Sequence, residues 1–165
     1  MNKVLVVKSL WFQSLWFLAV IGRDSTLLLL WFAIVATLAF SVVRRELAMG
    51  WLSCFVVLGV VLDWGNAYLG LFTFPTPFIP LWLIALWIIF VWYAYQMKTI
   101  LTLYPIWAVS IISALGAAGS YFAGAKLGAV IWPQGNTFTL LVLIVEWSVL
   151  MSLLVVSLRK RRLIV

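Results

Sequence analysis

Along this chain long apolar runs alternate with short polar breaks, and the runs fall at about residues 4–21, 26–43, 47–70, 78–96, 103–130 and 137–158. A helix needs roughly 20 apolar residues, at ~1.5 Å rise each, to cross a hydrocarbon core of about 30 Å, so every run is of spanning or near-spanning length. The breaks are Gly22-Arg23-Asp24-Ser25, Arg44-Arg45-Glu46, Phe74-Pro75-Thr76-Pro77, Lys98-Thr99 and Pro133-Gln134-Gly135-Asn136, all of turn composition. The pattern predicts an all-α integral membrane protein, a six-transmembrane-helix bundle with residues 1–165 as a single transmembrane domain. The opening Met1-Asn2-Lys3 leads into an apolar run with no A-x-A type cleavage site before Arg23-Asp24, so a retained first span is expected.

Six crossings put both termini on one side, and the basic residues test the count. That side collects Lys3, Lys8, Arg44, Arg45, Lys98, Arg159, Lys160, Arg161 and Arg162, whereas the other holds Arg23 and, at most, Lys126. The positive-inside rule then makes both termini cytoplasmic, in a bacterial inner membrane.

Composition agrees: 67% of residues are hydrophobic and 9% charged, against about a quarter charged in soluble proteins. The net charge of +7 sits at span ends and reports topology, so no nucleic acid is expected as a partner. The expected partners are membrane lipids, with a membrane protein partner or homo-oligomer as further possibilities. With Cys54 the single cysteine and no histidine, an internal disulfide, a CxxC site and imidazole chemistry are excluded. No catalytic residue set, metal site or cofactor is predicted.

Three charges lie at membrane depth, where an ionisable group is costly and faces a partner, a cavity or a pathway. Asp63 belongs to a stripe with Gly59, Asn66 and Gly70, spaced to share a ~60° arc of the third span. In the fifth span Gly116, Ser120, Gly124 and Gly128 recur every four residues, a row that lets helix backbones approach closely. Lys126 lies off that row. The span would measure ~43 Å between Tyr104 and Trp132 if wholly helical, so it must tilt, bend or leave the core. Glu146, about ten residues inside the sixth span, sits near the midplane. Asp63, Asn66, Lys126 and Glu146 are therefore the ligand-binding candidates, and Gly59, Gly70, Gly116, Ser120, Gly124 and Gly128 the helix-packing ones. The expectation is that Asp63, Lys126 and Glu146 share one outward-opening polar site, either a ligand pocket or an ion network that holds the helices together.

Several of these features recur in a known order. The pairs Trp11-Phe12 and Trp16-Phe17, Leu62-Asp63-Trp64, Phe74-Pro75 before Pro80-Leu81-Trp82 and Ala85-Leu86-Trp87, and the run from Gly119-Ser120-Tyr121 to Lys126-Leu127-Gly128 resemble the bacterial membrane family called domain of unknown function 2878. The resemblance runs from about Leu10 to Arg161 and implies a topology and no reaction. A looser likeness, carried by Gly59, Asp63 and Gly70, links the chain to the rod-shape protein MreD. Small six-span substrate-binding subunits of transporters are similar at the level of the fold. The functional expectation is binding of a lipidic or small amphiphilic molecule in support of transport or lipid handling. A scaffold for an envelope enzyme complex is the alternative, and a lipid-modifying enzyme the third.

Overall fold

The computed structural model describes residues 3–76 and 78–164, and of 162–164 it describes the backbone alone. Met1, Asn2, Pro77 and the Arg162 side chain, all used in the sequence reading, lie outside the described residues. The helices are α1 (Lys3–Phe17), α2 (Leu27–Val43), α3 (Met49–Tyr68), α4 (Leu81–Gln96), α5 (Lys98–Leu103), α6 (Ile106–Lys126) and α7 (Asn136–Ile164). Four helical stretches among the described residues are long and apolar enough to cross a membrane: Lys3–Val43, Met49–Tyr68, Ile106–Lys126 and Asn136–Arg161. Leu81–Gln96 is a shorter apolar helix.

The first stretch is not straight. Its 41 residues would extend ~60 Å as one rod, yet Trp11 Nε1 donates to Thr37 Oγ1 at 3.0 Å. The chain therefore doubles back, through a π-helical turn at Leu18–Gly22 and a 3-10 turn at Arg23–Thr26. Three features make the reversal. Arg23 adopts φ 48, a left-handed conformation rare outside glycine. Thr26 Oγ1 donates to the carbonyl of Leu18 at 2.8 Å. A Cβ on residue 22 would meet Thr26 Oγ1 at 2.0 Å, so only glycine fits there.

The ends of α3 and α6 follow one plan. Gly70 (φ +75) and Gly128 (φ +71) stand just past the two helices, where a left-handed glycine lets backbone amides turn back onto the last free carbonyls. The Leu71 amide bonds the Asn66 carbonyl at 2.8 Å, and the Ala129 amide bonds the Gly124 carbonyl at 2.9 Å. Three residues beyond each glycine the exits pair as an antiparallel bridge, Thr73 with Ile131. Both glycines thus terminate helices. The same cap, with Pro105 before α6, shortens the fifth predicted span from 103–130 to 21 residues, ~32 Å, about one bilayer core.

Helix α4 sits among α1, α2 and α3, while α6 packs chiefly on α7. Cross-helix bonds define two ends. At one, Lys8 reaches Glu46 and Gln96, Trp51 donates to Ser157 at 2.8 Å, and Arg159 donates to the Tyr104 carbonyl at 2.6 Å. At the other, Arg23 bonds the Leu127 carbonyl beside the Thr73–Ile131 bridge. The first end carries Lys3, Lys8, Arg44, Arg45 and Arg159, and is here called the basic end.

The face of α6 toward α7 is not the glycine row. Ser110, whose hydroxyl is 2.9 Å from that of Ser152 on α7, is followed at four-residue intervals by Ala114 and Ala118, both buried. The Gly116, Ser120, Gly124 row lies two residues on, ~200° around the helix, on the opposite side. A Cβ on Gly116 would meet nothing within 4 Å. Ala114→Leu is accordingly expected to overpack the α6–α7 contact and cost about 1–3 kcal/mol. Gly116→Leu should be tolerated, and detergent-micelle melting of the two variants checks the order.

Candidate functional site

Side chains of α1, α4, α6 and α7 surround a cavity of about 590 Å³. Its walls are aromatic and apolar, with Phe12 and Trp16 from α1, Trp87 and Phe90 from α4, and Trp147 and Met151 from α7. Apart from Tyr121, the α6 wall is different in kind: Ser113, Gly116, Ala117, Ser120 and Ala123 are all small, and their missing bulk opens the cavity. Helix α1 and the turn that follows it meet α6 toward the end opposite the basic one. There Trp16 Nε1 donates to Ser120 Oγ at 2.7 Å and Val20 lies against Gly124. Gln13, Phe17 and Gly116, which line the cavity between the two helices, are exposed. The cavity thus opens between the two helices. Small residues at four-residue spacing signal either a close helix contact or a hollow, and here Ser120 and Gly124 take the contact while Gly116 opens on the hollow.

Asp63 lies directly behind this wall. It is 2% exposed, and two donors hold its carboxyl. Trp87 Nε1 donates to Oδ2 at 2.6 Å, and the Tyr121 hydroxyl is shared between Oδ1 and Oδ2 at 2.8 and 2.9 Å. Trp87 stacks on Trp147 with centroids 5.2 Å apart and planes 8° from parallel, and Tyr121 stacks on Phe72 at 5.5 Å. One helical turn along α3 from Asp63, buried Asn66 donates from Nδ2 to Glu146 Oε2 at 2.8 Å. Asp63 and Asn66 therefore fasten α3 to α4, α6 and α7. Trp87 and Tyr121 line the cavity on one side and hold Asp63 on the other, so each spends its single polar proton away from the cavity.

Of the expected triad, Asp63 and Glu146 are brought near each other beside Asn66, and Lys126 does not join them. Lys126 is exposed at the end of α6, its Nζ 5.2 Å from the Phe122 ring centroid, and it forms no ion pair among the described residues. Depth along a helix is legible in a sequence, but the direction of a side chain around it is not, and the last turn of α6 aims Lys126 away from the bundle. The donors that hold Asp63 are instead an indole and a phenol, residue types whose polar atoms are single and whose bulk disguises them as packing. None of Asp63, Asn66, Lys126 and Glu146 lines the cavity. This cavity is therefore not the polar pocket expected of those four residues, and its lining is mostly apolar.

Of the stripe on α3, Gly59 has a demonstrable reason to be glycine: an added Cβ would stand 2.2 Å from Trp87 Cε3. At the basic end, Lys8 Nζ donates to Glu46 Oε2 at 2.9 Å and to Gln96 Oε1 at 2.6 Å. The Lys8 ammonium holds the Glu46 carboxyl below its ordinary range. Among the described residues no group of three or more His, Cys, Asp or Glu is placed to hold a metal ion.

A family profile described as "Protein of unknown function (DUF2878)" matches residues 5–153. No curated protein and no solved structure matches the chain.

Proposed function

The chain belongs to the DUF2878 family, whose description assigns no activity, and from that premise we propose that it is a six-crossing membrane protein binding a lipidic molecule in the cleft between α1 and α6. The observation that carries this reading is the cleft itself. A cavity of about 590 Å³ falls within the few hundred to a thousand Å³ of ordinary ligand sites, and its walls are matched to acyl chain and not to water. Its mouth faces the side of the bundle, where lipid has direct access. The free hydroxyl proton of Ser120, with Ser113 and Gln13, supplies polarity for an ester or hydroxyl of the ligand.

Six crossings are supported by the reversal between α1 and α2. The clustering of basic residues at one end supports cytoplasmic termini in a bacterial inner membrane. Lipid handling, in support of transport or of envelope lipid chemistry, is the role this cleft suits best.

Ala117→Trp puts an indole into the cleft from its small-residue wall. The purified variant is expected to melt near the parent temperature and to lose the lipid that the parent retains through detergent exchange, measured by native mass spectrometry. The alternative role, a scaffold for a membrane partner or a second copy, draws on the complete pairing of Asp63. Unchanged lipid retention in a folded Ala117→Trp protein would favour the scaffold.

A further inference from the structure

A second concavity lies on the other side of α1, in the groove between α1 and α2, with a volume of about 550 Å³. Val4, Val7 and Trp11 of α1 face Ala36 and Phe40 of α2 across it, and the Trp11–Thr37 bond ties its floor. At the basic end the groove ceases to be apolar, since Lys3, Lys8 and Glu46 line it there. Arg44 adds a charge at the same rim, its Cζ 4.8 Å from the centroid of the lining Phe40 ring. We infer that this groove holds one anionic phospholipid of the leaflet at the basic end, with an acyl chain along Val4, Val7 and Trp11 and its phosphate at the Lys3 and Arg44 rim.

Charge and length carry the assignment. Lys8 and Glu46 neutralise each other across 2.9 Å, which leaves the Lys3 and Arg44 cations at the mouth, with Lys98 near enough to act on Glu46 as well. Neither Lys3 nor Arg44 has an ion pair among the described residues. Lys8 has three protons and uses two, on Glu46 and Gln96, so a third remains for a phosphate oxygen. From Lys3 to Trp11 the groove runs ~12 Å, close to the ~15 Å of one leaflet's hydrocarbon. A groove with cations at its interfacial end and none deeper matches an anionic headgroup above an apolar chain. A partner helix would need acidic residues at that end to answer the same cations.

Exchange of the purified protein into mixed micelles of phosphatidylglycerol and phosphatidylcholine with identical chains, read by native mass spectrometry, tests the site. One phosphatidylglycerol is expected to be retained in preference. The Lys3→Gln/Arg44→Gln double variant should reduce that preference roughly thirtyfold, by the usual worth of two cations at an anionic surface. Ala36→Trp leaves every charge in place, fills the exposed groove wall and should release the lipid. Ala36→Leu, a milder change, decides the matter if the tryptophan variant does not fold. Equal retention of the two lipids by the parent protein would overturn the inference, as would indifference to the charge or groove variants. So would displacement by millimolar inorganic phosphate, which would mark an anion site without a chain, or a dimer that dissociates on Ala36→Trp. The site is separate from the α1–α6 cleft, and Ala117→Trp should leave its phosphatidylglycerol in place.

Discussion

Gly59→Ala is expected to destabilise this protein by about 3 kcal/mol or more, although alanine is the better helix former by about 1 kcal/mol. The new methyl would stand 2.2 Å from Cε3, 2.3 Å from Cζ3 and 2.4 Å from Cδ2 of Trp87. That ring has no room to yield. It is stacked on Trp147 at 5.2 Å, edge-on to Phe90 at 5.8 Å, and bonded through Nε1 to Asp63. Relieving the overlap means separating α3 from α4 or breaking the indole–carboxylate bond, and either adds to the overpacking cost. Gly65→Ala is the control, on the same helix with nothing within 4 Å of the added Cβ, and is expected to be neutral or stabilising. Melting of both variants in one detergent gives the comparison, and equal stability would show that the α3–α4 contact is looser than this packing.

The second large effect concerns Asp63. Asp63→Ala leaves the Trp87 Nε1 and the Tyr121 hydroxyl without an acceptor in a buried site, at about 1–3 kcal/mol for each orphaned donor. Hydrogen bonds between membrane helices are worth less on average, about 0.6 kcal/mol, so a total near 2–4 kcal/mol is expected. Asp63→Asn keeps one carbonyl oxygen for the two donors and should cost about 1 kcal/mol. The effects should couple. Tyr121→Phe removes one of the donors that Asp63→Ala strands, so the double variant is expected to be more stable than the sum of the single losses allows, by 0.5 kcal/mol or more. Additivity would mean that the two side chains do not act as a pair.

How much of this was legible in the sequence differs by residue. Helix existence was open to reading, because apolar runs of spanning length leave few alternatives. Their ends were less so: Pro105 and Gly128 mark the limits of α6, but the apolar residues beyond both carried the predicted span onward to 103–130. The stripe on α3 was correctly drawn in its inner part, since helical spacing alone puts Gly59, Asp63 and Asn66 on one face, and Asp63 and Asn66 are indeed buried. Gly70 fell off it because glycine past a helix end serves conformation and not proximity. Which groups meet Asp63 was not legible, because depth arithmetic orders residues along the membrane normal and says nothing about rotation. Lys126 was chosen for its charge, whereas the pairing fell to Trp87 and Tyr121. The row Gly116, Ser120, Gly124 divides, since small side chains permit a close contact or a hollow: α1 and the turn after it approach at Ser120 and Gly124, whereas Gly116 faces the cavity, and only the placement of α1 decides which is which.

The central claim, that the cleft between α1 and α6 takes a lipid chain, is tested most directly by photocrosslinking. The parent protein in bilayers containing a phospholipid with a diazirine in its acyl chain is irradiated, digested and mapped by mass spectrometry. Label concentrated on the cleft walls, at Phe12, Trp16, Ser113 and Ala117, and lost in Ala117→Trp, is the expected result. Label spread over outward-facing positions such as Leu28, Phe32, Val145 and Val149, with none in the cleft, would contradict it.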